Sequence, residues 1–264
     1  LKGDSPVSAN NETLSRVLTV ALGLCIVCSV VVSTAAVALK PQQEANKARD
    51  LKRNSLMAGG LFDPERSVEE QFETIEARVV DLDTGLFVDD VDPATFDQRK
   101  SSKDPSQSRA LSGDEDPAKI IRRENRAGVY LVNDGNGGLD RIILPIHGYG
   151  LWSTLYGFVA LESDANTIVG LGFYEHGETP GLGGEVDNPS WKAKWSGKLA
   201  YKDGDVAITV LKGTVNPASA DAQWQVDGLS GATLTTKGVS NLVQYWLGDD
   251  GFAPLLGNLR GGNA

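Results

Sequence analysis

The hydrophobic pattern of the chain begins with an uninterrupted apolar segment at residues 17–39, which contains no charged side chain. About 20 apolar residues are enough to cross the roughly 30 Å hydrocarbon core of a bilayer as an α-helix. A cleavable signal peptide normally has an apolar part of only about 7–15 residues, although Ala36-Val37-Ala38 resembles a cleavage site. We therefore predict a transmembrane helix at 17–39 after a short tail at 1–16, with cleavage as the alternative.

The charges beside this segment do not settle its orientation. Lys2 and Arg16 precede it, whereas five cations lie within residues 40–53. The positive-inside rule would place the large C-terminal part in the cytoplasm, but large domains are translocated largely regardless of such charges. The side of the membrane stays open on this evidence.

Short apolar runs separated by turn sequences predict an antiparallel sheet after the apolar segment. The predicted strands are residues 77–81, 86–88, 128–132, 141–146, 155–161, 167–174 and 206–211. Successive hairpins without alternating βαβ units favour the α+β class.

Helical patterns flank these strands. Residues 42–57 and 67–76 are helix-friendly, and Asn188-Pro189 is a suitable start for a short helix through residue 195. The clearest helix is the last one, which ends before Gly248. Its apolar stripe at i, i+3, i+4 and i+7 is Val239, Leu242, Val243 and Trp246.

These elements predict a stalk or linker at residues 40–66 and a soluble domain at residues 67–264. Within the domain, residues 97–117 are polar and almost without apolar side chains, so we predict an exposed, flexible loop there.

Composition narrows the chemistry. The net charge of -10 and the lack of a long basic run argue against a nucleic-acid partner. Cys25 and Cys28, the only cysteines, lie in the apolar segment on one helix face, where we interpret them as packing side chains; a metal shared with another subunit is the alternative. With only His147 and His176 besides, we predict no metal site. His176 is interpreted as a surface or loop residue.

A run of small and hydroxyl residues, 227–235, leads directly into the last helix. Gly231 and Ala232 let another molecule approach the backbone, and Thr233 and Thr235 place hydroxyls near the helix start. Unpaired N–H groups and the helix dipole there favour an anion such as phosphate. The alternative, which spacing alone favours, is ordinary capping of the helix by a hydroxyl.

The same run resembles the flavinylation motif of FMN-binding domains, D-G-x-[ST]-G-A-[ST]-x-T, at every fixed position. In that family a separate flavin transferase moves FMN from FAD onto the final Thr, here Thr235, through a phosphoester bond. The resemblance therefore implies covalent FMN on Thr235, beside Ser230, Gly231, Ala232 and Thr233.

Three further segments, residues 147–153, 178–185 and 246–249, resemble the C subunit of the Na+-translocating NADH:quinone reductases. The resemblance implies a periplasmic FMN-binding domain, with an antiparallel sheet and flanking helices, on a single helix in the bacterial inner membrane. It implies an electron-carrier subunit of a translocase that is not catalytic alone, with NADH, quinone and Na+ bound by other subunits. The periplasmic placement conflicts with the flanking charges, and we follow the resemblance.

The glycine-rich segment 179–184 has a backbone that can lie against a flat ring. The resemblance places the flavin near Thr179, Gly181, Leu182 and Gly183. Trp152 is a candidate for stacking on the flavin, with a buried core tryptophan as the alternative.

Two other functions compete with this interpretation. One is the homologous FMN-carrying subunit of the Rnf-type ferredoxin:NAD+ complex, although the middle segments and the ending at 246–249 favour the quinone reductase. The other is a non-redox periplasmic binding module, which would retain no chromophore after purification.

Overall fold

The structure, a computed structural model, describes residues 14–262. Two compact units are distinguished, the first ending at Ala48 and the second beginning at Arg49. The predicted tail at 1–16 lies largely outside the described residues.

Helix α1, Leu14–Ala58, contains the predicted membrane span. It is long and apolar enough to cross a bilayer, and its side chains between residues 14 and 50 are exposed. Val20, Ile26 and Val31 each expose more than half of their surface. A helix whose apolar side chains are exposed all round suits a lipid environment, where its own backbone hydrogen bonds satisfy every polar main-chain group.

The second unit is built on a six-stranded antiparallel sheet. In spatial order its strands are β2 (Phe87–Val88), β1 (Ile75–Asp81), β5 (Arg126–Asn133), β6 (Leu139–Tyr149), β7 (Thr154–Glu162) and β8 (Ile168–Glu175). The first six predicted strands and their three hairpin pairings are thereby confirmed, as is the α+β class.

Both faces of this sheet are covered. In β6, Ile142, Leu144 and Ile146 belong to the main core, together with the predicted apolar stripe within residues 239–246. Ile143 faces the other way, into a smaller core with Leu56 of α1 and with Val68. Alternate residues of a strand point to opposite faces, so an uninterrupted apolar run such as 142–146 indicates a strand that is buried on both.

Helix α2, Val68–Phe72, starts with a capping box in which the Ser67 hydroxyl accepts the Glu70 N–H. It ends earlier than predicted because β1 begins at Ile75. The compact unit begins at Arg49, and Ser55, Leu56 and Ala58 are buried, so part of the predicted stalk packs within the second unit.

The prediction of a loop throughout residues 97–117 is wrong for two segments. Helix α3, Gln98–Lys103, is capped by the Asp97 carboxylate, which accepts the Lys100 N–H at 3.0 Å. Strand β3, Ser108–Ala110, pairs with β4, Arg122–Glu124. These elements are held by a cap and by main-chain pairing, and they have no apolar stripe that a sequence pattern could reveal.

The predicted strand 206–211 is divided. The amides of Ala207 and Ile208 both donate to the carbonyl oxygen of Ala200, at 2.8 and 3.1 Å, and interrupt it. The short strands around this point are β9 (Tyr201–Lys202), β10 (Asp205–Val206), β11 (Thr209–Val210) and β12 (Gln225–Val226).

Three helices complete the unit. Helix α4, Pro189–Lys192, follows Asn188 as predicted and continues as a 3-10 turn, Ala193–Trp195. Helix α5, Thr233–Leu247, carries the predicted stripe, fully buried, and ends at Gly248. Helix α6, Ala253–Gly261, was not predicted.

Candidate functional site

The start of α5 is shaped by the run 227–235. The first residue of the run, Asp227, is held by two hydrogen bonds. One of its carboxylate oxygens accepts the Val215 N–H at 2.7 Å, and the other accepts the Lys194 ammonium at 2.5 Å. Gly231 has φ +73°, a left-handed conformation that glycine adopts without strain. Helix α5 then begins at Thr233, and no side chain of the described residues caps it.

This geometry argues against capping by Thr233 or Thr235. The hydroxyl that closes the turn is that of Thr236, which accepts the Leu229 N–H at 3.0 Å. The first turn of α5 therefore retains N–H groups without a side-chain acceptor, as an anion site at a helix start requires.

The Thr235 hydroxyl points to a residue that the sequence patterns do not single out. It donates a 2.6 Å hydrogen bond to Oε2 of Glu178, 57 residues earlier in the chain. Thr235 is completely buried and Glu178 is 5% exposed. Glu178 opens one of the segments that carry the family resemblance, but only the folded chain shows that its carboxylate meets Thr235.

The other carboxylate oxygen of Glu178 is held by three consecutive amides. Oε1 accepts the N–H groups of Leu151, Trp152 and Ser153 at 3.0, 2.9 and 3.3 Å. A Cβ on Gly150 would lie 2.7 Å from the same oxygen, so a larger residue there would displace the carboxylate.

Glu178 is ionised near neutral pH. Burial acts to raise the pKa of its carboxyl, but hydrogen bonds from the Thr235 hydroxyl and the three amides outweigh burial and lower the pKa below its ordinary value. Donors that stabilise a carboxylate have this effect because the protonated form accepts them less well.

The glycine-rich segment covers the Thr235 hydroxyl. The carbonyl oxygen of Thr179 accepts the N–H groups of Leu182 and Gly184, at 3.1 and 2.9 Å, which makes a tight loop. A Cβ on Gly183 would lie 2.5 Å from Oγ1 of Thr235, so the backbone of this residue lies directly against the hydroxyl.

Large apolar side chains near this loop are exposed. Trp152 is 65% exposed, Leu234 58% and Leu182 45%. The alternative of a buried core tryptophan is thus wrong for Trp152. Leu182 also lies close to Gly231, where an added Cβ would be 3.1 Å from its Cδ2. Exposed apolar groups beside a polar centre are typical of a surface that binds a flat apolar ligand or a protein.

The predicted site residues thus fall into two groups. Three of them form the buried centre: Thr235 carries the hydroxyl, the backbone of Gly183 covers it, and the amide of Trp152 binds Glu178, which accepts the hydroxyl. Of the remainder, Ala232 is buried at the start of α5, whereas the exposed residues are Ser230, Gly231, Thr233, Thr179, Gly181 and Leu182.

The two histidines lie in different surroundings. His176 follows β8, and its Nε2 lies 2.8 Å from Asp187 Oδ2 while Nδ1 accepts the Glu178 N–H at 3.2 Å. His147 is buried in β6, where burial and the nearby Arg99 lower its pKa to about 4. Its 4.0 Å approach to Glu124 is therefore no ion pair near neutral pH, and burial raises the pKa of Glu124 to about 7.

The residues present are chemically suited to a flavin phosphate and ring. They offer a hydroxyl, uncapped amides at a helix start, a glycine-rich backbone and exposed apolar side chains. Within residues 14–262, no group of three or more His, Cys, Asp or Glu side chains is placed to hold a metal ion.

Comparison with known proteins places this site in a family. The FMN-binding domain family matches residues 150–248, which include both the glycine-rich segment and Thr235. The chain is similar to the C subunit of the Na(+)-translocating NADH-quinone reductase of Pseudomonas aeruginosa, at 56% identity over 97% of this chain and 100% of that protein. The protein of the same name from Vibrio vulnificus is 49% identical over 96% of this chain and 98% of its own length.

A solved structure agrees with these relatives. The crystal structure of Shewanella oneidensis NqrC matches with a TM-score of 0.76 and 37% identity, over 82% of this chain and 99% of that chain. These names favour the quinone reductase over the Rnf-type alternative, and the FMN-binding match argues against a non-redox binding module. The chain belongs to the family of C subunits of the Na(+)-translocating NADH-quinone reductase.

Proposed function

We propose that this chain carries FMN esterified to Thr235 and relays electrons between neighbouring redox centres of a Na+-pumping NADH:quinone reductase. The observation that carries the proposal is the Thr235 hydroxyl itself. It is the last residue of the run 227–235, it lies in the uncapped first turn of α5, and it is hydrogen-bonded to a buried carboxylate. A hydroxyl paired with a base is the usual arrangement of an activated nucleophile.

The chain's own residues would hold the cofactor in separate parts. Thr235 would carry the phosphate, beside Ser230, Gly231, Ala232 and Thr233, and the N–H groups in the first turn of α5 that no side chain caps would be its donors. The backbone of Gly181 and Gly183, with Thr179, Leu182 and Trp152, would border the ring. When bound, the flavin supplies electron transfer that amino-acid side chains cannot provide.

The burial of Thr235 sets a condition for loading. The hydroxyl is covered by the Gly183 backbone, so no phosphorus atom can reach Oγ1 while the segment 179–184 keeps this position. Loading therefore requires that this segment move, and Gly181, at φ +75°, gives it a residue with wide backbone freedom. A covalent bond then prevents loss of the cofactor.

We further propose that α1 crosses the bacterial inner membrane once, over residues 17–39, and that the large domain is periplasmic. The proposed division of the chain is the tail 1–16, the span 17–39, a stalk or linker 40–66 whose part from Arg49 onward packs within the compact unit, and the domain 67–264. The exposed apolar surface of α1 supports the span. The partners are the other subunits of the complex and, during maturation, a flavin transferase. Nucleic acid is not a partner, and NADH, quinone and Na+ bind other subunits.

Coexpression with a flavin transferase tests the attachment. The band of this chain on a denaturing gel should fluoresce under ultraviolet light, because an ester bond survives unfolding. Thr235→Ala should abolish the fluorescence, whereas Thr233→Ala, which keeps the Thr235 hydroxyl, should retain it. Fluorescence that persists in Thr235→Ala would show that another residue is the acceptor.

A further inference from the structure

We propose that Glu178 is the general base for flavin attachment, accepting the Thr235 proton as that hydroxyl attacks the FMN phosphorus of flavin adenine dinucleotide. The inference rests on the proposed function, since it concerns how the same hydroxyl is modified. The general base would thus belong to this chain, which receives the flavin, and would act together with the groups that the transferase supplies.

The geometry is that of a nucleophile and its base. Oγ1 of Thr235 and Oε2 of Glu178 are 2.6 Å apart, within the range at which a proton is transferred directly. The donor is the hydroxyl, because an ionised carboxylate can only accept.

A third group orients the base. The amides of Leu151, Trp152 and Ser153 hold Oε1 and leave Oε2 directed at Thr235. A hydroxyl that contacts a base, which is in turn held by a third group, is the usual arrangement of a nucleophilic hydroxyl in enzymes. His176 is not an alternative base, because its Nε2 lies 2.8 Å from Asp187 and its Nδ1 already accepts the Glu178 N–H.

The proposed step balances. The bond from Oγ1 to the FMN phosphorus forms, and the bond from that phosphorus to the bridging oxygen of the pyrophosphate breaks. The bridging oxygen leaves with its electron pair as part of adenosine monophosphate. The hydroxyl proton passes to Oε2 of Glu178 and from there to solvent. No electron is gained or lost, so no oxidant or reductant is needed.

The substitution Glu178→Gln removes the base and keeps a side chain of nearly the same shape. Its carbonyl oxygen can still accept the three amides, but its amide nitrogen cannot take a proton from Thr235. The matched control is Glu185→Gln, the same change seven residues later at a carboxylate that accepts the side-chain amide of Asn188.

The experiment follows a single round of flavin attachment to the purified full-length chain, made without transferase, after adding transferase and flavin adenine dinucleotide. Covalent flavin is measured by in-gel fluorescence against time. Glu178→Gln should slow attachment by about 10²-fold or more, the usual contribution of a general base. Glu185→Gln should react at the wild-type rate.

The pH dependence distinguishes a base from a structural role. The ratio of the Glu178→Gln rate to the wild-type rate should rise between about pH 6 and 9, because hydroxide increasingly replaces the missing base. Taking the ratio at each pH cancels the titration of the transferase. Glu178→Asp, which keeps a carboxylate, should be slower than wild type with a ratio that does not change with pH. Circular dichroism checks that each variant is folded.

Several outcomes would overturn the inference while leaving the proposed function intact. One is a Glu178→Gln variant that attaches flavin to Thr235 as fast as wild type. Another is a slow Glu178→Gln variant whose rate, divided by the wild-type rate, does not change with pH. A third is a Glu178→Asp variant whose rate ratio rises with pH as that of Glu178→Gln does. If instead wild type gained no covalent flavin, or Thr235→Ala gained as much, the proposed function itself would fail.

Discussion

At the scale of single residues, Glu178 joins two parts of the site that are far apart in the sequence. One oxygen binds the Thr235 hydroxyl and the other binds the amides of 151–153, the segment that carries the exposed Trp152. Esterification of Thr235, as proposed, would remove the proton that its hydroxyl donates to Oε2 and would add a phosphate charge beside the carboxylate.

The hydrogen bonds to Glu178 predict a pH dependence of folding stability. Its pKa in the folded, unmodified chain lies below the ordinary value of 4.5, so folded Glu178 binds fewer protons than unfolded Glu178. Its stabilising effect is full above pH 4.5 and is lost as the pH falls through the lowered pKa. The free energy of unfolding of wild type minus that of Glu178→Gln should therefore shrink as the pH is lowered from about 5 to 3, as measured by urea unfolding. A difference that stays constant over this range would contradict it.

Gly183→Ala should damage the site directly. The new Cβ would lie 2.5 Å from Thr235 Oγ1 and 2.7 Å from Glu178 Oε2, so the pair must separate or the loop must shift. We expect a loss of about 1–3 kcal/mol in unfolding free energy and slower flavin attachment. Gly172→Ala is the control, because a Cβ there meets no atom within 4 Å. Equal effects of the two substitutions would exclude this role for Gly183.

At the scale of elements, the sequence predicts best where burial leaves an apolar pattern. The β5–β8 strands were predicted correctly from apolar runs between turn sequences, and α5 from its apolar residues at i, i+3, i+4 and i+7. Helix α3 and strand β3 were missed because a cap and main-chain pairing hold them, and neither leaves an apolar stripe. The Thr235 hydroxyl was found from its motif, but its contact with Glu178 depends on how α5 packs, which no local pattern records.

The packing of α5 against the sheet can be tested by truncating one side chain. Leu242 is fully buried, and a Cβ added to Gly148 of β6 would lie 2.5 Å from the Cβ of Leu242, so helix and strand are in close contact. Leu242→Ala should lower the unfolding free energy by about 2–5 kcal/mol, the usual result for a buried leucine. Lys237→Ala, at an exposed position of the same helix, should change it by less than about 0.5 kcal/mol. Urea unfolding of both variants measures the difference, and similar values would argue against this packing.

At the scale of the whole molecule, the chain combines an exposed apolar helix with a compact unit beginning at Arg49. The relatives match over nearly all of this length, so the family covers both parts. The proposed anchor and the proposed covalent bond would serve the same purpose, since each would keep a redox carrier close to its neighbours.

The proposed topology predicts a specific pattern of protease sensitivity. In intact spheroplasts, an added protease should degrade the large unit, while a cytoplasmic marker protein should survive. The full-length chain should remain with the membrane after washing in high salt, because burial of about 20 apolar residues is insensitive to ionic strength. Protection of the large unit in intact spheroplasts would place it in the cytoplasm. A mature protein shortened after residue 38 would establish cleavage in place of anchoring.

The measurement that tests the central claim most directly is peptide mass spectrometry of the chain purified after exposure to flavin transferase. The peptide that contains residues 227–235 should carry the mass of one FMN less one water, and fragmentation should assign it to Thr235. Finding Thr235 unmodified, or the flavin on another residue, would contradict the account.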